Sequence, residues 1–211
     1  MIGMATVVAD YPLFYEAVNE KGVGMAGLNF PENADYKEVA KGKDNVASFE
    51  LIPWLLSQCD SVAQVKELCQ NLNVTNEAFS ADFQPSPLHW LIADRQEAIV
   101  LESVASGLKV YDNPTGVLTN NPTFDKQLFN LNNYRHLSPK VSDNLFSTEI
   151  QLDTYSRGMG GLGLPGDLSS MSRYVKVAFT KLNSVAEDSE SSSVNQFFHI
   201  LKSVEQQKGL C

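Results

Sequence analysis

Over its first thirty residues the chain alternates apolar and polar positions with the two-residue period of half-buried strands. "MATVV", "LFYEAVN" and "VGMAGLNF" each predict a strand, and Glu20-Lys21-Gly22 joins the last two as a hairpin turn. The period then lengthens. "PWLLSQC" and "SVAQVKELCQNL" repeat their apolar positions every three or four residues, which predicts two helices. Pro53 is tolerated in the first turn of one, and Ser61 with Gln64 forms a capping box at the start of the other. Cys69 shares a face of this second helix with Val62, Val65 and Leu72, the position of a small buried hydrophobe. From Leu88 onward "LHWLIAD", "EAIVLESV", "LKVYD" and "GVLTN" are short apolar runs divided by turn residues, which predicts an antiparallel meander. Helices follow over "FDKQLFNLNNY", "SSMSRYVKVAFTKL" and "VNQFFHILKSVEQQ", with the polar linker "SVAEDSESSS" between the last two. Strands grouped apart from helices predict an α+β fold rather than repeated βαβ units.

Composition narrows the function. A chain of 211 residues, 43% hydrophobic and 19% charged, suits one globular domain over residues 1–211. Sixteen basic against 25 acidic residues give a net charge of −9 with no Lys/Arg cluster, so neither nucleic acid nor an anionic membrane surface is an expected partner. No apolar run reaches the length of a membrane span, and the amino terminus lacks the basic region of a signal peptide; a cytoplasmic protein is expected. Cys59, Cys69 and Cys211 are odd in number and show no C-x-x-C spacing, against both a disulfide framework and a zinc site. No metal or other cofactor is expected.

The stretch "RGMGGLGLPGD" contains a literal G-x-G-x-x-G. A pyrophosphate cradle needs a buried strand before the glycines and a helix opening at them. Upstream lies the polar "STEIQLDTYS", and downstream Pro165 drives Leu164 toward an extended conformation, so a helix is credible only after Asp167. A nucleotide-binding module is therefore disfavoured, and the loop is expected to be a connector. The other usual constellations are missing from the sequence too. His89 and His199 sit inside strand and helix patterns as core histidines would, no G-x-S-x-G occurs, and no paired-histidine motif offers metal ligands. What stands out is a set of amides at predicted strand ends: Asn29 in "GMAGLNFP", and Asn120 and Asn121 in "GVLTNNPTFD". Each is either a turn former or a preorganised donor to a developing oxyanion.

Five separated blocks, "DYPLFYEAVNEKGVGMAGLNFP", "PLHWLIAD", "VYDNPTGVLTNNPTFDKQLFNLNNYR", "GMGGLGLPGDLSSMSRYVK" and "FFHILKSVEQQKG", together resemble the choloylglycine hydrolase family, most closely its bile salt hydrolases. The resemblance runs from Met1 to Cys211. It implies an N-terminal-nucleophile hydrolase fold, an αββα four-layer sandwich, and hydrolysis of the amide joining a bile acid to glycine or taurine. In that family the nucleophile is an amino-terminal cysteine whose thiol attacks the amide and whose α-amine serves as base. By the matched blocks, Asn29 falls on the oxyanion-hole amide, Asn120 on the amide that orders the nucleophile's amino group, and Arg173 on the guanidinium beside the thiol, where it would favour thiolate. The glycine loop resembles the connector that carries the helix of Arg173. Phe79, Phe83 and Leu88 would line the steroid pocket, or else be ordinary core.

The sequence departs from the family at its ends. Met1-Ile2 stands where a cysteine would have to be, and the family's opening and closing strands have no match, so the chain is expected to be an internal piece, inactive by itself. Two readings of different classes follow: a bile salt hydrolase given incomplete, and a non-catalytic truncated product. Penicillin V acylase is the alternative within the enzyme class, although its branch tends to carry Tyr at the place of Asn29. The long segment "NYRHLSPKVSDNLFSTEIQLDTYSRG" carries Leu137, Leu145, Phe146, Ile150 and Leu152, too apolar for a free linker. It reads as an arm that packs on another subunit, or else as a long hairpin folded back on its own domain; the resemblance implies a homotetramer.

Overall fold

The computed structural model describes residues 1–141 and 143–210, so the expectation for Cys211 lies outside the described residues. The chain divides into two compact units, Met1–Asp125 and Lys126–Cys211.

The first unit is built on a six-stranded antiparallel sheet. Its strands are β1 (Ile2–Val8), β2 (Tyr11–Val18), β3 (Gly24–Asn29), β6 (Leu88–Ala93), β7 (Ala98–Val104) and β8 (Gly107–Asp112), in that spatial order. Ala9 and Asp10 join β1 to β2 with φ of 49° and 60°, the doubly left-handed turn that matches the twist of a two-residue hairpin. The expected turn between β2 and β3 is held from within by Asn19. Its Oδ1 accepts from the Lys21 and Val23 amides, each at 3.0 Å. Its Nδ2 donates to the Leu56 and Cys59 carbonyls at 3.0 and 2.7 Å, tying the turn to the helix that covers the sheet.

That cover consists of α1 (Leu51–Leu56) and α2 (Val62–Cys69). Pro53 lies in the first turn of α1, where its missing N–H leaves no bond unmade. Ser61 caps α2 by accepting from the Gln64 amide at 3.4 Å, and the Gln64 side chain reaches back to the Asp60 amide at 2.7 Å, a capping box displaced by one residue. Leu51, Ile52, Leu55, Val62 and Val65 meet Met25, Trp90, Ile92, Ile99 and Leu101 of the sheet in one continuous core. Cys69 joins it as expected of a small hydrophobe.

Two short strands, β4 (Asp44–Ala47) and β5 (Leu72–Thr75), pair in parallel as a separate ribbon that the sequence pattern did not announce. In the other direction, the expected strand over "GVLTN" does not form. There the backbone groups are taken by side chains instead of a neighbouring strand. Asn113 Oδ1 accepts from the Thr115 and Gly116 amides at 3.2 and 2.9 Å, and Asn113 Nδ2 donates to the Val117 carbonyl at 2.9 Å.

Helix α3 (Phe124–Asn130) runs across the boundary of the two units and continues as a 3₁₀ turn through Tyr134. In the second unit α4 (Ser170–Asn183) and α5 (Glu190–Lys202) pack on each other. The Ser/Glu linker before α5 is shorter than expected, because Ser189 caps the helix by accepting from the Ser192 amide at 3.2 Å. Between residues 135 and 158 no helix or strand occurs among the described residues, and Leu145 and Phe146 are 89% and 80% exposed.

Candidate functional site

The centre of the first unit's sheet holds a charged pair. Trp90 pairs with Leu101 across β6 and β7, so His89 and Glu102 face each other one step along the ladder. Both are fully buried, and His89 Nδ1 lies 3.0 Å from Glu102 Oε1. The other ring nitrogen, Nε2, lies 2.7 Å from the carbonyl oxygen of Thr119; since a carbonyl only accepts, Nε2 carries a proton and donates it. A second proton is then shared between Nδ1 and Oε1. The same Oε1 accepts from the Phe124 amide at 2.9 Å, and the Phe30 ring stacks on the imidazole at 4.1 Å between centroids. His89 is thus the satisfied core histidine that its strand pattern implied.

The pair holds the segment that carries two of the candidate amides. Asn120 Nδ2 donates to the backbone carbonyl of Asn29, and Asn121 Nδ2 to that of Pro31, each at 2.9 Å. Asn29 ends β3, as expected, and is exposed. Asn120 stands in a side-chain-braced loop and not at a strand end, a correction that follows from the missing strand over "GVLTN". The structure nonetheless brings Asn29 and Asn120 together: the end of β3 is pinned at its backbone, and Asn29 itself is exposed.

Next to this strand end lies an aromatic cavity of about 260 Å³. Asn29 pairs with Leu88 in the β3–β6 register, and Leu88, Phe79 and Phe83 all line the cavity together with Phe14, Phe49 and Trp90. The three apolar residues singled out in the sequence therefore share one surface. Phe79 is the hub, with Phe49 edge-on at 5.4 Å and Phe83 edge-on at 6.4 Å. Hydroxyls of Thr6 and Tyr15 hydrogen-bond each other on the wall. Tyr36 fixes the approach to Leu88: its hydroxyl donates to the Ser86 carbonyl at 2.7 Å and accepts from the Leu88 amide at 2.8 Å. Burial pushes that phenol up to about 12, so it remains a neutral donor at any ordinary pH.

Arg173 belongs to the second unit. It lies in the first turn of α4, which Ser169 caps, and its Nε donates to the Leu168 carbonyl at 3.1 Å. The preceding glycine loop is a connector, as its flanks predicted. It passes through a single 3₁₀ turn at Met159–Gly161, and α4 opens only at Ser170. Gly160 is required there by a close approach: a Cβ would stand 1.9 Å from the Lys140 carbonyl oxygen. At the mouth of α4 the Asp167 carboxyl is pulled down to about 2 by hydrogen bonds from the Ser169 and Ser172 hydroxyls and the Ser169 amide.

Among the described residues no group of three or more His, Cys, Asp or Glu side chains is gathered as a metal would need, and no helix is long and apolar enough to cross a membrane. The model of one family, the linear amide C–N hydrolases of the choloylglycine hydrolase family, matches residues 1–211. The chain belongs to that family. It is 64% identical over 211 residues to a protein named bile salt hydrolase/transferase from Lactiplantibacillus plantarum. Its fold superposes with a TM-score of 0.89 on a variant of conjugated bile acid hydrolase from Clostridium perfringens, at 39% identity and over 98% of the chain. Penicillin V acylase from Agrobacterium tumefaciens shares the fold at a TM-score of 0.70 and 20% identity, over 94% of the chain and 54% of its own length. The architecture is that of the N-terminal-nucleophile hydrolases. The chain spans about two thirds of these relatives, 65% of the L. plantarum protein and 64% of the C. perfringens chain.

Choloylglycine hydrolase chemistry as the sequence resemblance implies it needs a thiolate, and neither described cysteine is suited to supply one. Cys59 and Cys69 are 2% and 6% exposed. Burial, followed by the nearby Asp60 charge, raises the Cys59 thiol, and burial carries Cys69 up to about 12. In the folded chain at pH 8, a water-soluble disulfide reagent should leave both thiols unmodified over a time in which the urea-unfolded chain reacts at both. Peptide mapping by mass spectrometry checks this; rapid native labelling at either position would remove the argument from burial.

Proposed function

We propose that this chain is part of a bile salt hydrolase, which cleaves the amide of glycine- or taurine-conjugated bile acids. One observation carries the reading: Asn29, exposed at a strand end that Asn120 pins, pairs across the ladder with Leu88 in the wall of an aromatic cavity. An apolar hollow beside a strand-end amide suits a steroid acyl group whose carbonyl is to be polarised. The names of the L. plantarum and C. perfringens relatives support the same substrate class.

In this reading a thiolate from a part of the polypeptide beyond these residues attacks the amide carbonyl. Asn29 donates to the oxygen as negative charge develops, Asn120 orders the amine that takes the thiol proton, and the amine passes that proton to the departing glycine or taurine. Water then hydrolyses the thioester. The L. plantarum relative is called a hydrolase/transferase, and the same thioester would hand its acyl group to an amine in place of water. Phe79, Phe83 and Leu88 hold the steroid. Arg173 is assigned to the stabilisation of thiolate by its position in the matched sequence block alone.

Penicillin V acylase activity is the second reading, favoured by the shared fold. Asn29, where Tyr tends to stand in that branch, weighs against it. Single-domain organisation, a cytoplasmic setting and a homotetramer are further parts of the proposal. For the last, the exposure of Leu145 and Phe146 supports an arm that another subunit covers.

The polypeptide extended by the segment that supplies the thiol should release glycine from glycocholate faster than it opens the side-chain amide of penicillin V. Asn29→Ala should lower kcat by roughly 10²–10³ with the fold kept. Faster turnover of penicillin V would reverse the substrate assignment, and a rise in KM alone would make Asn29 a binding residue. Arg173→Gln should raise the thiol pKa and move the rising limb of kcat/KM to higher pH; an unmoved limb excludes Arg173 from the chemistry. Phe146→Asp combined with Leu145→Lys should shift the protein to smaller species in sedimentation. An unchanged assembly with a lowered melting temperature would instead show that the arm packs within its own chain.

A further inference from the structure

We propose that His89 and Glu102 are positioning residues for the reaction, acting through the Asn120 amide; this rests on the reading of Asn120 given above. Neither residue is part of the aromatic cavity, and neither is exposed. Their hydrogen bonds instead grip the segment from Thr119 to Phe124 at both ends, the His89 Nε2–H on the Thr119 carbonyl at 2.7 Å and Glu102 Oε1 on the Phe124 amide at 2.9 Å. Asn120 is the next residue after the first grip. Its amide meets the Asn29 carbonyl at 2.9 Å, and Phe30, adjacent to Asn29, stacks on the His89 ring. The contacts close a ring from β3 through the loop to β6 and β7 and back to β3.

Stability alone gives little reason for this arrangement. Taking a carboxylate and an imidazole out of water carries a desolvation cost that a well-packed apolar pair avoids. Glu102 Oε2 is buried without a hydrogen-bond partner. What the pair supplies is direction: one donor and one acceptor fixed on the central strands of the sheet, each aimed at a backbone group of the loop that presents Asn120. A loop without strand pairing has few other means of holding a side-chain amide to the tolerance that catalysis demands, where a displacement of about 1 Å costs about 10²-fold in rate.

The test is a double-mutant cycle in the polypeptide that carries the thiol, with glycocholate as substrate. His89→Ala should lower kcat by about 10²-fold with KM little changed. His89→Gln, whose amide N–H can reach the Thr119 carbonyl, should recover most of the loss. In an Asn120→Ala background His89→Ala should add no further loss, because the group it positions is already gone. If the two losses multiply, or if His89→Ala lowers the melting temperature while the folded fraction keeps its kcat, the pair is structural and the proposal fails. If Asn120→Ala itself leaves kcat unchanged, the reading of Asn120 fails and takes the proposal with it. Should His89→Ala not fold, Glu102→Gln, which keeps the shape but gives up one of the two bonds to Oε1, must show the same dependence on Asn120.

Discussion

A buried carboxylate at the centre of a sheet must be matched by donors, and in this protein that requirement organises everything around the candidate site. Glu102 faces His89 across the β6–β7 ladder, and a slip of one residue would send both side chains to the opposite face of the sheet. The pair therefore selects the register of the central strands. Through the imidazole Nε2–H it also fixes where the chain must pass after β8, since Thr119 has to bring its carbonyl to that proton. The aromatic cavity depends on the same register, which sets Leu88 against Asn29. One polar requirement thus couples the wall of a hollow to the amides beside it.

Much of the first unit was legible because its strands are half-buried and its turns carry recognisable chemistry. The hairpin at Glu20-Lys21-Gly22, Ser61 as a helix cap, and the late start of α4 after the glycine loop all came from local rules that tertiary contacts did not override. "GVLTN" failed for an identifiable reason. Its composition suits a strand, but Asn113 and His89 take the backbone partners a strand would have used, and no local pattern reveals a side chain arriving from a distant ladder. The parallel β4–β5 pair escaped notice because four-residue strands carry too little periodicity to register.

At the candidate site the sequence singled out residues whose arrangement it could not show. Asn29, Asn120, Phe79, Phe83 and Leu88 were each singled out, and the structure gathers the two amides at one strand end and the three apolar residues in one hollow. Glu102 was overlooked, although a lone glutamate inside the apolar run "AIVLESV" is an anomaly that asks for a partner. The buried cysteines make the complementary point. Placed in the core as small hydrophobes, Cys59 and Cys69 are poorly suited to act as nucleophiles.

The central claim is that the Asn29 amide stabilises the charge that develops on the scissile carbonyl. It is tested most directly by a crystal structure of the thiol-bearing polypeptide trapped with a bile-acid aldehyde, which forms a tetrahedral hemithioacetal at the nucleophile. The account predicts the hemithioacetal oxygen within about 2.7–3.1 Å of Asn29 Nδ2, with the steroid against Phe79 and Leu88. An adduct whose oxygen points away from Asn29, or whose steroid lies outside the aromatic hollow, would contradict it.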